Sequence, residues 1–183
     1  TVRLAKEALY GSAKTALVIG GGAIGLGAAL SLSAQGVNIV TIVEPNALRR
    51  DVLNTQCGQT TISPDDLSAD AMFDLVIDGV GYAATRATAS AHTRPGGVIG
   101  HIGLGEGTGG LDVRRMTLQE ITFIGTYTYT AQDFRDTAAA IFDGRLGTLD
   151  WTEQRPLSDG ASAFSDILAG LTAAPKIILN PHI

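Results

Sequence analysis

The chain has a single cysteine, Cys57, in 183 residues, so no disulfide can form within it. Its three histidines, His92, His101 and His182, lie far apart, and no CxxC or Cys/His cluster has the spacing of a zinc site. Lysine- or arginine-rich blocks are missing and the net charge is −5, so a nucleic-acid backbone is not an expected partner. No apolar run reaches the ~18 residues of a membrane span. The first residues lack the basic-then-apolar pattern of a signal peptide. No membrane partner and a cytoplasmic location are therefore expected. The first residue is Thr1, not Met, which suggests a piece of a longer protein.

What the chain does have is apolar residues (45%) and little charge (17%), a balance that argues for a packed domain and against disorder. It also has 23 glycines, and the most telling are local. Residues 16–27 read Ala-Leu-Val-Ile-Gly-Gly-Gly-Ala-Ile-Gly-Leu-Gly, in which Gly20, Gly22 and Gly25 fit G-x-G-x-x-G. Glu44 follows 19 residues after Gly25 and closes a second apolar run, residues 37–43. Such a motif is weak alone. Between a strand and a helix, trailed by an acid at about 20 residues, it indicates a dinucleotide site.

The chemistry follows from the residue types. Gly20 permits a tight turn, Gly22 lets the backbone approach a pyrophosphate, and Gly25 lets the helix pack close to the strand. The pyrophosphate would lie over the free amides of Ala23, Ile24 and Gly25 at a helix N-terminus. Glu44 would accept from the adenosine ribose hydroxyls and repel a 2′-phosphate, so NAD is expected over NADP. Three other readings stay open: a glycine turn without a ligand, S-adenosylmethionine, whose methyltransferases use a similar turn and acid, and NADP held by Arg49 or Arg50. Arg49 is expected near the adenine face or in solvent.

Along the chain, helices are expected at 2–10, 23–35, 46–57, 83–92, 130–143 and 160–171. Strands are expected at 15–19, 38–43, 59–62, 73–78, 98–103 and 121–124, with a last extended run at 176–179. Residues 63–72 read as a turn or short helix, 94–97 as a turn and 105–110 as a flexible glycine loop. Alternating strands and helices imply an α/β, doubly wound, mostly parallel six-stranded Rossmann sheet with helices on both faces. No linker divides residues 1–183, so one dinucleotide-binding domain is expected. His101, inside a strand and without a visible partner, reads as a core histidine. Tyr127 and Tyr129 share a face and read as packing residues.

The ordered series resembles the cofactor-binding domain of the medium-chain, zinc-containing alcohol dehydrogenase family. It comprises residues 16–27, 43–50, 73–81, 95–104, 121–127, Asp133-Phe134 and 176–181. The resemblance implies that Gly79, Val80 and Gly81 line the coenzyme's path. It implies that Ile102, Gly103 and Leu104 border the nicotinamide, and that Gly125 and Thr126 offer backbone groups to its carboxamide. It implies an edge-to-edge homodimer through residues 109–120. The family's zinc-bearing catalytic domain has no counterpart here. No catalytic residue and no metal site is therefore expected in this chain, and Cys57 reads as a small apolar filler. The implied parent is an NAD-dependent alcohol or polyol dehydrogenase acting on a small-molecule alcohol or carbonyl substrate, its zinc in the absent domain and this fragment inactive alone. A zinc-free NADPH quinone or enone reductase and a non-catalytic NAD(H)-sensing module are the alternatives.

Overall fold

The computed structural model describes residues 1–182. Its strands are β1 (Thr15–Ile19), β2 (Ile39–Val43), β3 (Thr60–Ile62), β4 (Phe73–Asp78), β5 (Thr93–His101), β6 (Thr122–Gly125), β7 (Thr152–Pro156) and β8 (Lys176–Asn180). The α-helices are α1 (Val2–Ala8), α2 (Ala23–Ala34), α3 (Ala47–Thr55), α4 (Ala83–His92), α5 (Val113–Leu118), α6 (Ala131–Phe142) and α7 (Gly160–Leu168). The first six strands form one parallel sheet in the order β3-β2-β1-β4-β5-β6. Two successive strands run outward from β1 on one side, and the chain then crosses back to β4 on the other. This reversal creates a crevice at the carboxyl ends of β1 and β4, where ligands of such sheets bind.

The core is built from strands that are apolar on both faces, as central parallel strands require. Leu17 and Val18 of β1 and Leu75, Val76 and Ile77 of β4 are fully buried; each such side chain stabilises the fold by roughly 1.5–3 kcal/mol. A layer with Leu26, Ala29 and Leu32 of α2 and Val2, Ala5 and Leu9 covers one face. Ala89 of α4 and Ile121 cover the other with Leu17, Val76 and Ile99.

β4 carries a buried carboxylate near each end. Asp74 Oδ2 accepts from the amides of Lys14 (2.5 Å) and Thr15 (3.0 Å), and its Oδ1 pairs with Arg94 at 2.7 Å. Asp78 does the corresponding task at the carboxyl end, beside the crevice.

Several boundaries depart from the sequence reading. Residues 94–97 are not a turn before a strand. β5 begins at Thr93, which pairs with Phe73, and the register then jumps so that Leu75 meets Val98. The residues between bulge out of the ladder, and a bulge is invisible to hydrophobic alternation. β5 also stops at His101, because the amides of Ile102 and Gly103 both turn to Asp78 O (3.0 and 3.1 Å). Two elements were not foreseen, α5 and β7. The latter pairs in parallel with β8 in a separate two-stranded sheet. Its Thr-Glu-Gln-Arg-Pro sequence has too little apolar content to read as a strand. Among the described residues no helix is long and apolar enough to cross a membrane.

Candidate coenzyme site

The glycine turn joins β1 to α2, and its three motif glycines differ physically. Gly20 has φ +94°, a backbone shape that side chains rarely adopt. A Cβ on Gly25 would lie 1.7 Å from Gly20 O, so only glycine lets the helix start this close to the strand. A Cβ on Gly22 would meet nothing within 4 Å. The protein itself leaves space there, beside the start of a helix. The first bond within α2 is Leu26 N–H to Gly22 O (2.9 Å), which leaves the first-turn amides free of helical acceptors.

Glu44 sits just past β2 and is almost fully buried. Its Oε2 accepts from Gly21 N–H (2.7 Å) and its Oε1 from Asn46 N–H (2.8 Å). Arg49 Nη1 lies 3.6 Å from Oε2. A carboxylate has about four lone-pair sites, so capacity remains for donors arriving from the crevice. Asn46 also caps α3, its side chain accepting from the amides of Leu48 and Arg49. This sets the helix bearing Arg49 over the carboxylate.

Two cavities meet at Gly20, Glu44, Arg49, Val80 and Tyr82. One, of about 500 Å³, is lined further by Ile19, Val43, Pro45, Pro64, Leu67, Thr85, Thr88 and His92. Its walls are mostly apolar and suit a flat aromatic base. The other, of about 360 Å³, is lined further by Gly22, Ala23, Ile24, Gly25 and Gly79 and lies along the helix N-terminus.

Nine expected residues thus converge: Gly20, Gly22, Ala23, Ile24, Gly25, Glu44, Arg49, Gly79 and Val80 line one or both cavities. Gly81, Ile102, Gly103, Leu104, Gly125 and Thr126 are not among the lining residues. Gly81 and Gly103 pack against each other: a Cβ on Gly81 would lie 2.3 Å from Gly103 O. Leu104 is exposed. Thr126 follows β6, where its amide bonds His101 O at 2.9 Å and its hydroxyl meets that of Thr1. Pro64, Leu67, Tyr82 and His92 were missed as lining residues. Pro64, Leu67 and His92 lie far in sequence from the glycine segments, and only the fold brings them to the crevice; Tyr82 directly follows Gly81 and was within reach of the pattern.

Asp78 was also missed. It is fully buried, and its Oδ1 accepts from the amides of Val80 (3.0 Å) and Gly81 (2.9 Å) while its Oδ2 accepts from the Thr85 hydroxyl (3.0 Å). His101 ends β5 with Nε2 3.6 Å from Asp78 Oδ2 and its ring 5.3 Å from that of Phe123. Tyr127 and Tyr129 are exposed, contrary to the packing role expected of them, and Tyr129 stacks on Phe134 at 6.1 Å. Cys57 packs at the edge of the core, and burial pushes its thiol pKa up. Among the described residues no group of three or more His, Cys, Asp or Glu can hold a metal, so these residues do not fit zinc.

Comparison with known proteins agrees with this geometry. The chain is 27% identical over 195 aligned residues to a probable diacetyl reductase [(R)-acetoin forming] of Saccharomyces cerevisiae, covering 94% of this chain and 46% of that protein. Among solved structures, alcohol dehydrogenase TADH from Thermus sp. ATN1 superposes with a TM-score of 0.82 at 20% identity, covering 97% of this chain and 53% of that one. Acetophenone reductase from Geotrichum candidum, in complex with NAD, superposes with a TM-score of 0.78 at 20% identity, covering 94% and 50%. The chain spans about half the length of these relatives. Residues 23–143 match the family described as zinc-binding dehydrogenase, and with two thirds of its length so matched, the chain belongs to that family.

Proposed function

We propose that this chain binds NAD(H) and holds the nicotinamide for hydride transfer. It would serve as the dinucleotide-binding domain, residues 1–183, of a zinc-dependent alcohol or polyol dehydrogenase. The observation that carries the reading is Glu44. Its carboxylate is fixed by two backbone amides at the junction of both cavities, where it can accept from a ribose diol. The adenine would fill the larger, apolar cavity. The pyrophosphate would lie in the smaller one, over the first turn of α2, whose dipole and free amides favour negative charge. The space beside Gly22 is what a phosphate needs.

When bound, the nicotinamide supplies hydride chemistry. This chain's residues orient it and shield it from water. Among the described residues no zinc ligand set is found, and on this reading substrate activation would fall to a part of the protein outside this sequence. A small alcohol or carbonyl compound is the substrate class that fits the family. A two-fold partner would cover the free edge of β6, beside exposed Val113 and Leu118 of α5. A cytoplasmic location goes with the same reading.

Gly22→Val tests the site. A branched side chain there meets no protein atom but fills the pyrophosphate's space. Binding of NADH should fall by more than about 100-fold, or ~2.7 kcal/mol, with the fold intact by circular dichroism. Normal NADH affinity in a folded variant would remove the glycine turn from the site.

A further inference from the structure

Residues 105–110 read as a flexible loop from their glycines, yet the segment is firmly held. Gly105 N–H bonds Val80 O at 3.1 Å, Glu106 N–H bonds Gly81 O at 2.8 Å, and Glu106 Oε2 accepts from Ala83 N–H at 2.9 Å. Arg86 of α4 gathers the rest. It is 6% exposed, and its guanidinium donates only to backbone carbonyls: Gly81 (2.8 Å), Glu106 (3.1 Å), Thr108 (2.5 Å) and Gly109 (2.6 Å). None of the ion pairs among the described residues includes it.

A buried cation without a carboxylate is costly unless its donors are satisfied. The helix does not help, because a cation near an N-terminus meets the positive end of the dipole. The loop carbonyls are what stabilise this charge, and in return the charge sets the loop. Asp78 complements it with the opposite sign. The N–H of Gly81 goes to Asp78 and its C=O to Arg86, so one peptide segment is clamped from both sides. Gly81 itself has φ +81° and touches Gly103. The clamp therefore fixes the loops after β4 and β5, on the other side of β1 from Glu44; Thr85, Thr88 and His92 of α4 line the larger cavity, whereas Arg86 lines neither cavity and faces the loop.

We propose that Arg86 is a positioning residue for the nicotinamide half of the coenzyme. It touches no ligand. It holds residues 102–110 as a rigid wall beyond β4 and β5. This rests on the NAD(H) reading above, and a ligand pair separates the two. ADP-ribose has the adenine, both riboses and the pyrophosphate but no nicotinamide.

The test is calorimetric titration of the 183-residue chain, unmodified and as Arg86→Met and Arg86→Lys, with NADH and with ADP-ribose, alongside the emission of bound NADH. Arg86→Met should weaken NADH about tenfold and lose the emission change, while ADP-ribose affinity stays within about twofold. Arg86→Lys keeps the charge but not the planar fork, and it carries the test if the methionine variant does not fold. It should shift NADH in the same sense by less. Equal losses for both ligands, or unchanged NADH affinity, would overturn the proposal. An unmodified chain that binds ADP-ribose as tightly as NADH, with no emission change, would overturn it too. An unmodified chain that binds neither ligand would refute the NAD(H) reading itself.

Discussion

The two halves of the six-stranded sheet are finished differently at their carboxyl ends. From β2 across β1 to the start of the loop after β4 the chain leaves space: two cavities, free helix amides and a carboxylate with acceptor capacity to spare. From Gly81 onward, over β5 and β6, the chain fills the space itself. Loop packs on loop through Gly81 and Gly103; the buried charge of Arg86 is spent on backbone carbonyls, and that of Asp78 on two backbone amides and the Thr85 hydroxyl. On the proposed reading the first region is a preformed receptor and the second a rigid wall. A dinucleotide needs both. Its adenine end gains affinity from burial in a cavity, and its reactive ring must be held in one orientation.

The contrast can be broken first at the glycine turn. Gly25→Val puts a side chain into Gly20 O, so folding should fail or lose more than about 4 kcal/mol, seen as a collapse of the thermal transition. Gly22→Val, three residues earlier, should leave the transition within about 1 kcal/mol of the parent, the size of a changed helix cap, while abolishing coenzyme binding. Similar thermal losses in both variants would mean that the turn is structural throughout. A third variant, Glu44→Gln, sharpens the contrast on the receptor side. It removes the charge that repels a 2′-phosphate, so the preference for NADH over NADPH should narrow by about tenfold, or 1.4 kcal/mol. Unchanged relative affinities would take Glu44 out of the specificity argument.

The smallest effect is expected on the other half. Arg3 of α1 pairs with Asp133 of α6 at 2.7 Å, and its guanidinium holds the Asp133 carboxyl well below the usual carboxylate range. A carboxylate lowered in the folded state adds stability that is fully present above its unfolded value near 3.9 and is lost as pH falls through the lowered folded value. Both side chains are partly exposed, so the gain is small and salt-sensitive. Asp133→Asn should flatten the acid limb of a pH-dependent melting series slightly and leave the neutral plateau almost unmoved. An unchanged acid limb would mean that the pair contributes nothing measurable.

The same division separates what was legible in the sequence from what was not. The receptor half is written in short range. A strand, three glycines and an acid 19 residues on can be read without knowing what they touch, and all of them line the two cavities. The sheet was legible too, because parallel strands buried on both faces leave apolar runs between helices. The wall half is written in long range. Arg86 bonds carbonyls 20 to 23 residues away in the 102–110 loop, and carbonyls carry no residue identity that a pattern can show. The bulge at 94–97 was hidden because an insertion in a ladder follows from pairing, not from composition. The strand β7 went unseen because it carries its polar residues on a small peripheral sheet instead of the central one.

The most direct measurement is calorimetric titration of this chain with NADH, NADPH and S-adenosylmethionine in parallel. The account predicts saturable binding of NADH, NADPH weaker by at least about tenfold, and no heat from S-adenosylmethionine. Tighter binding of NADPH, or binding of S-adenosylmethionine alone, would contradict it.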